Sequence, residues 1–118
     1  MEEIKLFDSE IKIMEILWRE GSLSAKQISV IAEKDIGWNK NTTYTILKKL
    51  IDKNAIARKE PGFFCSSLIT RDIVQKDETE RLIGKFWGGS KKAFFASFVD
   101  EHLSEEEIRE LKSLIEKR

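Results

Sequence analysis

Asn41, Thr42, Tyr44, Thr45 and Lys48 fall within one short stretch, N-K-N-T-T-Y-T-I-L-K-K-L-I-D-K at residues 39–53, with Lys40 and Lys49 beside them. At about 100° per residue, Asn41, Thr45 and Lys48 share one side of a helix, flanked by Thr42, Tyr44 and Lys49. Thr43, Ile46, Leu47 and Leu50 share the other side and read as a core stripe. The outward face is unusual, because exposed helix surfaces mix Glu with Lys and this one carries no acid before Asp52. Amide and hydroxyl groups match the donor and acceptor patterns of base edges, and ammonium groups match phosphates. Asn41 suits an adenine edge and the threonine methyls suit thymine. Lys40 and Lys49, with Arg58 and Lys59 further on, suit the phosphate backbone. Tyr44 has a competing reading as an aromatic packed at the rim of the core. Lys53 reads as a cation answering the dipole of its own helix end.

The charge distribution agrees with this face better than the total does. The chain has 21 Lys and Arg against 21 Asp and Glu, a net charge that gives phosphates no reason to bind. Residues 38–59, however, hold six basic residues against Asp52 alone, whereas residues 1–37 hold five against eight acids. A solvated charge run is the rival reading. Other chemistries find little support. Cys65 and His102 are each single, so neither an internal disulfide nor a zinc site of ordinary ligand count assembles within one chain. No nucleophile, carboxylate pair or Gly-rich phosphate loop stands at a usable spacing, and no catalytic residue, metal ligand or cofactor is assigned. No run approaches the roughly 18 apolar residues of a membrane helix, so membrane insertion is not expected. The opening M-E-E-I-K-L-F-D lacks a signal-peptide layout, which makes a cytoplasmic location the expectation.

The elements that must position this face can be traced along the chain. Asp8 is placed as the cap of a first helix running to about Glu20, with Ile11, Met14, Leu17 and Trp18 inward and Gly21 ending it. Ser24-Ala-Lys-Gln27 fits a capping box that opens a second helix, with Ala25, Ile28, Ile31 and Ala32 inward, to about Lys34. Ser22-Leu23-Ser24 leaves room for no more than a bridging strand. Asp35-Ile-Gly37-Trp38 forms a tight connection, and Asn39 caps the third helix. Ala55–Lys59 and Phe63–Leu68, parted by Glu60-Pro61-Gly62, read as a β-hairpin, with one of Phe63 and Phe64 facing in and the other out. Three helices and a hairpin describe a winged helix-turn-helix domain over residues 1–69. Cys65, on the second strand of the wing, reads as a small buried hydrophobe, with a redox switch as the rival.

Residues 70–118 change character to helix alone. Thr70 caps one run, Gly88-Gly89 breaks it, Ser90 caps the next, and Ser104-Glu-Glu-Glu107 opens the last with a capping box. The fold class is therefore mainly α with a small hairpin, a winged-helix domain followed by a three-helix C-terminal region. Phe86, Trp87, Phe94, Phe95 and Phe98 lie within thirteen positions, each able to bury on the order of 150 to 250 Å². Ile108, Leu111, Leu114 and Ile115 add a stripe on the last helix. A second copy of the same tail is the simplest cover, giving a homodimer. Folding of the tail onto its own winged domain is the rival.

The residues Asp8-Ser-Glu-Ile11 with Met14 and Leu17-Trp18, Trp38 followed by 39–53, the wing at Gly62 and the tail Ser97-Phe-Val-Asp-Glu-His-Leu-Ser104 carry a family likeness. Over essentially its whole length the chain resembles the penicillinase-repressor family, the BlaI/MecI-type winged-helix repressors. The resemblance implies a dimeric transcriptional repressor on a pseudo-palindromic operator in double-stranded DNA. Its third helix would enter the major groove, its tail would dimerise, and a membrane-anchored sensor protease would cleave that tail. The family's cleaved Asn-Phe bond corresponds here to Ser97-Phe98. A copper-responsive branch carries paired C-terminal cysteines, which this chain lacks. The family's basic residues at the start of the recognition helix and in the wing tip are replaced by Asn41 and Phe63. A winged helix that docks protein rather than DNA is the alternative function, and the polar centre of the 39–53 face speaks for DNA.

Overall fold

The computed structural model describes residues 4–118. Its elements follow in the order α1 (Asp8–Glu20), β1 (Leu23–Ser24), α2 (Ala25–Ile36), α3 (Lys40–Asp52), β2 (Ile56–Lys59), β3 (Phe64–Ser67), α4 (Arg71–Trp87), α5 (Lys91–His102) and α6 (Glu105–Glu116). The chain divides into two compact units, one ending at Glu78 and the other beginning at Thr79, so the boundary falls inside α4.

In the first unit, helix boundaries follow from satisfied end groups. The α2 cap Ser24 accepts from the Gln27 N–H at 3.1 Å, while the Gln27 side chain accepts from the Ser24 N–H at 2.9 Å. Helix α2 runs two residues past the expected Lys34, because Gly37 takes a left-handed conformation (φ 84°) whose N–H reaches the Ala32 and Glu33 carbonyls. Asp35 and Ile36 thus belong to the helix and not to the connection. Helix α1 is capped differently from the expectation. Phe7 occupies the cap position in extended conformation, Asp8 is the first helical residue, and the Glu10 carboxylate accepts from the Phe7 N–H at 2.7 Å. Asp8 still lies in the first turn, where a negative charge opposes the helix dipole favourably.

The core is built from all three helices and the sheet. Ile13, Met14, Ile16 and Leu17 of α1 pack with Ala25, Ile28 and Ala32 of α2 and with Ile46, Leu47 and Leu50 of α3. The buried arc of α1 is wider than the expected stripe, since Ile13 and Ile16 are buried while Ile11 and Trp18 are half-buried. Packing of α2, α3 and β3 around α1 accounts for that width. The Trp18 indole N–H donates to the Ile69 carbonyl at 3.0 Å, using its one polar group. Ala55, Ile56, Cys65 and Val74 close the core from the hairpin and the start of α4. Leu47 is fully buried, and truncating such a leucine to alanine costs about 2 to 5 kcal/mol.

The sheet is antiparallel in the order β1-β3-β2, with Leu23 opposite Cys65 and Lys59 opposite Phe64. The short β1 covers the outer edge of the hairpin, which would otherwise present unpaired backbone groups. Residues 60–63 make the turn, with a cis Glu60-Pro61 bond and positive φ at Gly62 (91°) and Phe63 (50°).

In the second unit, Ser90 caps α5 through the Ala93 N–H at 3.1 Å, and Ser104 and Glu107 cap α6 reciprocally at 3.1 and 3.0 Å. The Gly88-Gly89 break takes left-handed angles at both residues. An aromatic row links the end of α4 to α5: Trp87 meets Phe94 at 5.0 Å and Phe94 meets Phe98 at 5.8 Å between ring centroids.

Candidate nucleic-acid interface

Helix α3 begins where Asn39, in extended conformation, accepts the Thr42 N–H on its side-chain oxygen at 2.9 Å. From that start the helix buries Thr43, Ile46, Leu47 and Leu50 and exposes Lys40, Asn41, Thr42, Thr45, Lys48 and Lys49. The expected division of the two faces therefore stands in the structure. The Thr45 hydroxyl donates to the Asn41 carbonyl at 2.9 Å, which leaves its oxygen lone pairs and methyl group for an external partner. Lys40, Lys48, Lys49 and Lys59 form no ion pair among the described residues. Their charge is uncompensated by any carboxylate among the described residues, three of them on α3 and one at the end of β2.

Tyr44 is half-buried against the core and sets its ring edge-on to Phe63, centroids 5.7 Å apart at 84°. The Lys40 ammonium stands 5.5 Å from the Tyr44 ring centroid. Both readings of Tyr44 have a basis here: the ring packs at the core rim and also borders the exposed face. Phe63 is the inward member of the Phe63/Phe64 pair, and Phe64 is exposed. The Arg58 guanidinium lies over the Phe63 ring at 3.6 Å and donates through Nε to Glu60 at 2.6 Å. Arg58 is thus already paired with a carboxylate, unlike Lys40, Lys48, Lys49 and Lys59 among the described residues. The wing touches α3 through the Tyr44–Phe63 pair.

Lys53 departs from its expected part. Its side chain turns away from its own helix end toward α1, where the ammonium meets Glu10 at 2.6 Å and donates to the Lys5 carbonyl at 2.9 Å. The pull of a buried carboxylate exceeds that of a screened helix terminus, so the ion pair takes precedence over the dipole. Sequence reasoning missed Glu10 and Glu60 as residues that shape this region. The signal for Glu60 is its place two residues after Arg58 in a tight turn. Glu10 gives a weaker one, an acid at the third position of a helix whose preceding residue cannot cap.

In the tail, Phe86 (67% exposed), Phe95, Phe98, Leu114 (60%) and Ile115 (62%) are open to solvent in the single chain. Ile108 lies at the edge of exposure, and Trp87, Phe94 and Leu111 are half-buried. Ser97 and Phe98 sit in mid-helix within α5.

A family model described as "Penicillinase repressor" matches residues 6–117. The chain belongs to the penicillinase repressor family. Among its relatives, the penicillinase repressor of Staphylococcus aureus is 28% identical over 116 residues, covering 96% of this chain and 92% of that protein. The methicillin resistance regulatory protein MecI of Mammaliicoccus sciuri is 26% identical over 117 residues, 97% and 95% of the two chains. In structure, the DNA-binding domain of the repressor BlaI, solved in solution, aligns with a TM-score of 0.56 at 23% identity, over 61% of this chain and 90% of that one. The monomeric form of Bacillus licheniformis BlaI in complex with the blaP half-operator aligns at 0.54 with the same identity and coverage. At that identity the likeness is one of fold. It bears out the winged-helix architecture expected for the N-terminal part of this penicillinase repressor family member.

Proposed function

We propose that this chain is a sequence-specific DNA-binding transcriptional repressor that works in the cytoplasm as a homodimer on a pseudo-palindromic operator. The observation that carries the reading is the outward face of α3, where Asn41, Thr42, Thr45, Lys48 and Lys49 are exposed with no acid among them. Membership of the family and the half-operator bound by the structurally similar BlaI support it. Asn41, Thr42 and Thr45 read base edges in the major groove, Tyr44 borders them, Lys40, Lys48, Lys49 and Lys59 meet phosphates, and Arg58, bonded to Glu60, stands beside them for a weaker phosphate contact.

The exposed apolar residues of α4, α5 and α6 support dimerisation through the tail. One recognition helix spans only a few base pairs, and a two-fold pair doubles the interface. Proteolysis of the tail at Ser97-Phe98 by a sensor protease would relieve repression. That bond lies inside α5, so α5 must open locally before a protease can take the strand in extended form. No helix among the described residues is long and apolar enough to cross a membrane.

Selection of random duplexes by the purified protein tests the reading. Recovery of a two-fold-symmetric motif is the expected result, and no enrichment over background would overturn it.

A further inference from the structure

The turn between β2 and β3 holds a closed set of contacts. Glu60 divides its carboxylate, with Oε1 accepting from the Arg58 Nε at 2.6 Å and Oε2 accepting from the Phe63 N–H at 3.1 Å. The Arg58 Nη2 reaches the same Oε1 atom. The guanidinium is stacked 3.6 Å over the Phe63 ring, and Phe63 meets Tyr44 of α3 edge-on. Phe63 also holds a left-handed backbone angle of 50°, which a bulky side chain adopts only when its surroundings fix it. The two bonds hold the Glu60 carboxyl below its ordinary range, the Phe63 N–H first and the Arg58 guanidinium second. Its carboxylate is therefore ionised near neutral pH. Both side chains of the pair are nonetheless on the surface, roughly half exposed.

The arrangement bears on how the wing meets a duplex. A guanidinium fork offers a carboxylate and a phosphate the same geometry. Here the fork is filled from within the turn, beside an α3 face whose lysines carry no carboxylate partner among the described residues. We propose that Glu60 is an internal competitor for Arg58, setting the affinity of the wing for the phosphate backbone by occupying the guanidinium that would otherwise contact it. This rests on the DNA-binding reading of the α3 face and adds a residue that reading does not use. Exposed ion pairs are individually weak, so exchange of carboxylate for phosphate is easy and the effect is a modest tuning of affinity. Stacking on Phe63 keeps the guanidinium in place when its partner changes.

The test uses the full-length chain and a fluorescein-labelled duplex of mixed sequence, with affinity measured across a series of KCl concentrations. Glu60→Gln keeps an oxygen for the Phe63 N–H and removes the charge. It is expected to tighten binding roughly threefold to tenfold and to steepen the salt dependence by the equivalent of one phosphate, a log–log slope change of about 0.9. Arg58→Gln in the Glu60→Gln background should return the slope to that of the parent chain. The same change in the parent should alter the slope far less than Lys48→Ala does. If the parent binds the duplex and Glu60→Gln leaves affinity and slope unchanged, or weakens binding, the competitor inference is wrong and the DNA reading survives. If the parent shows no salt-dependent binding at all, both fall. Thermal unfolding of each variant checks that the wing is intact, and Arg58→Gln supplies an independent reading should Glu60→Gln fold poorly.

Discussion

Lys53, which closes α3, places its ammonium 2.6 Å from the carboxylate of Glu10 at the start of α1. Glu10 is 1% exposed, accepts the Phe7 N–H on the same oxygen, and has no hydrogen-bond partner for its other oxygen among the described residues. The ammonium is further held by the Lys5 carbonyl and by the Phe7 ring, 4.3 Å away at its centroid. The segment before α1 is therefore fastened to the end of α3, the opposite end of that helix from Lys40 and Asn41.

Removing one partner of this pair leaves the other charge buried. Breaking a buried ion pair costs about 3 to 5 kcal/mol, and because the Lys53 side chain keeps 29% exposure, Lys53→Met should cost about 2 kcal/mol. Urea unfolding measures it. The destabilisation should appear as a lower midpoint with an unchanged slope. DNA affinity should fall without a change in salt dependence, since the Lys53 charge is already taken. A flatter salt slope would instead make Lys53 a phosphate ligand.

Lys48 and Lys49 differ from Lys53 in meeting no carboxylate among the described residues. Replacing both by Ala should weaken binding to every duplex alike and reduce the salt slope by about 0.9 for each phosphate that is no longer neutralised. Fluorescence anisotropy across a salt series gives both numbers. Asn41→Ala should behave otherwise, keeping the slope and relaxing preference at one base position by about 1 to 3 kcal/mol.

Much of this arrangement is written in local sequence, and the remainder depends on packing that no local pattern encodes. Asn39, Ser24, Ser90 and Ser104 carry their own helix starts, because a cap acts over three residues. The α3 faces are legible because four apolar or small side chains repeat at helical spacing. Lys53 and Glu10 lie 43 residues apart, and their pairing depends on how α1 and α3 cross. The Arg58–Phe63–Tyr44 stack likewise needs the hairpin to fold back against α3. Ile13 and Ile16 escape the expected stripe because three elements, not one, cover α1.

Cys65 provides a test by pH. Its thiol is fully buried on β3, and burial pushes its pKa above the ordinary value, with the positive charge of Arg58 opposing more weakly. In the unfolded chain the thiol ionises first, at about 8.5. The folded state then binds more protons than the unfolded one, so stability falls as pH rises from the unfolded value toward the raised folded value and is unaffected below that window. Urea unfolding from about pH 7 to about pH 10 should show this decline, and Cys65→Ala should reduce it. Thiol reagents at about pH 8 should label native Cys65 only as fast as the wing opens. Rapid labelling of the native protein would instead favour a redox role.

The tail gives the strongest contrast between a single chain and a pair. Phe94 packs against Trp87 and Phe98 inside its own chain, so substituting it would disturb the tail as well as any interface. Phe95 and Leu114 are exposed and are cleaner probes. In a two-fold interface each substitution occurs twice, and burial of one such side chain contributes about 1.5 to 3 kcal/mol. Phe95→Asp and Leu114→Asp should therefore each weaken self-association by roughly a hundredfold or more, with the winged unit still folded. Sedimentation equilibrium follows the mass and circular dichroism follows the fold. Operator affinity should drop with the dimer, because the second recognition helix no longer reaches its half-site as part of the same molecule. Dimers that persist in both variants would move the interface away from these residues.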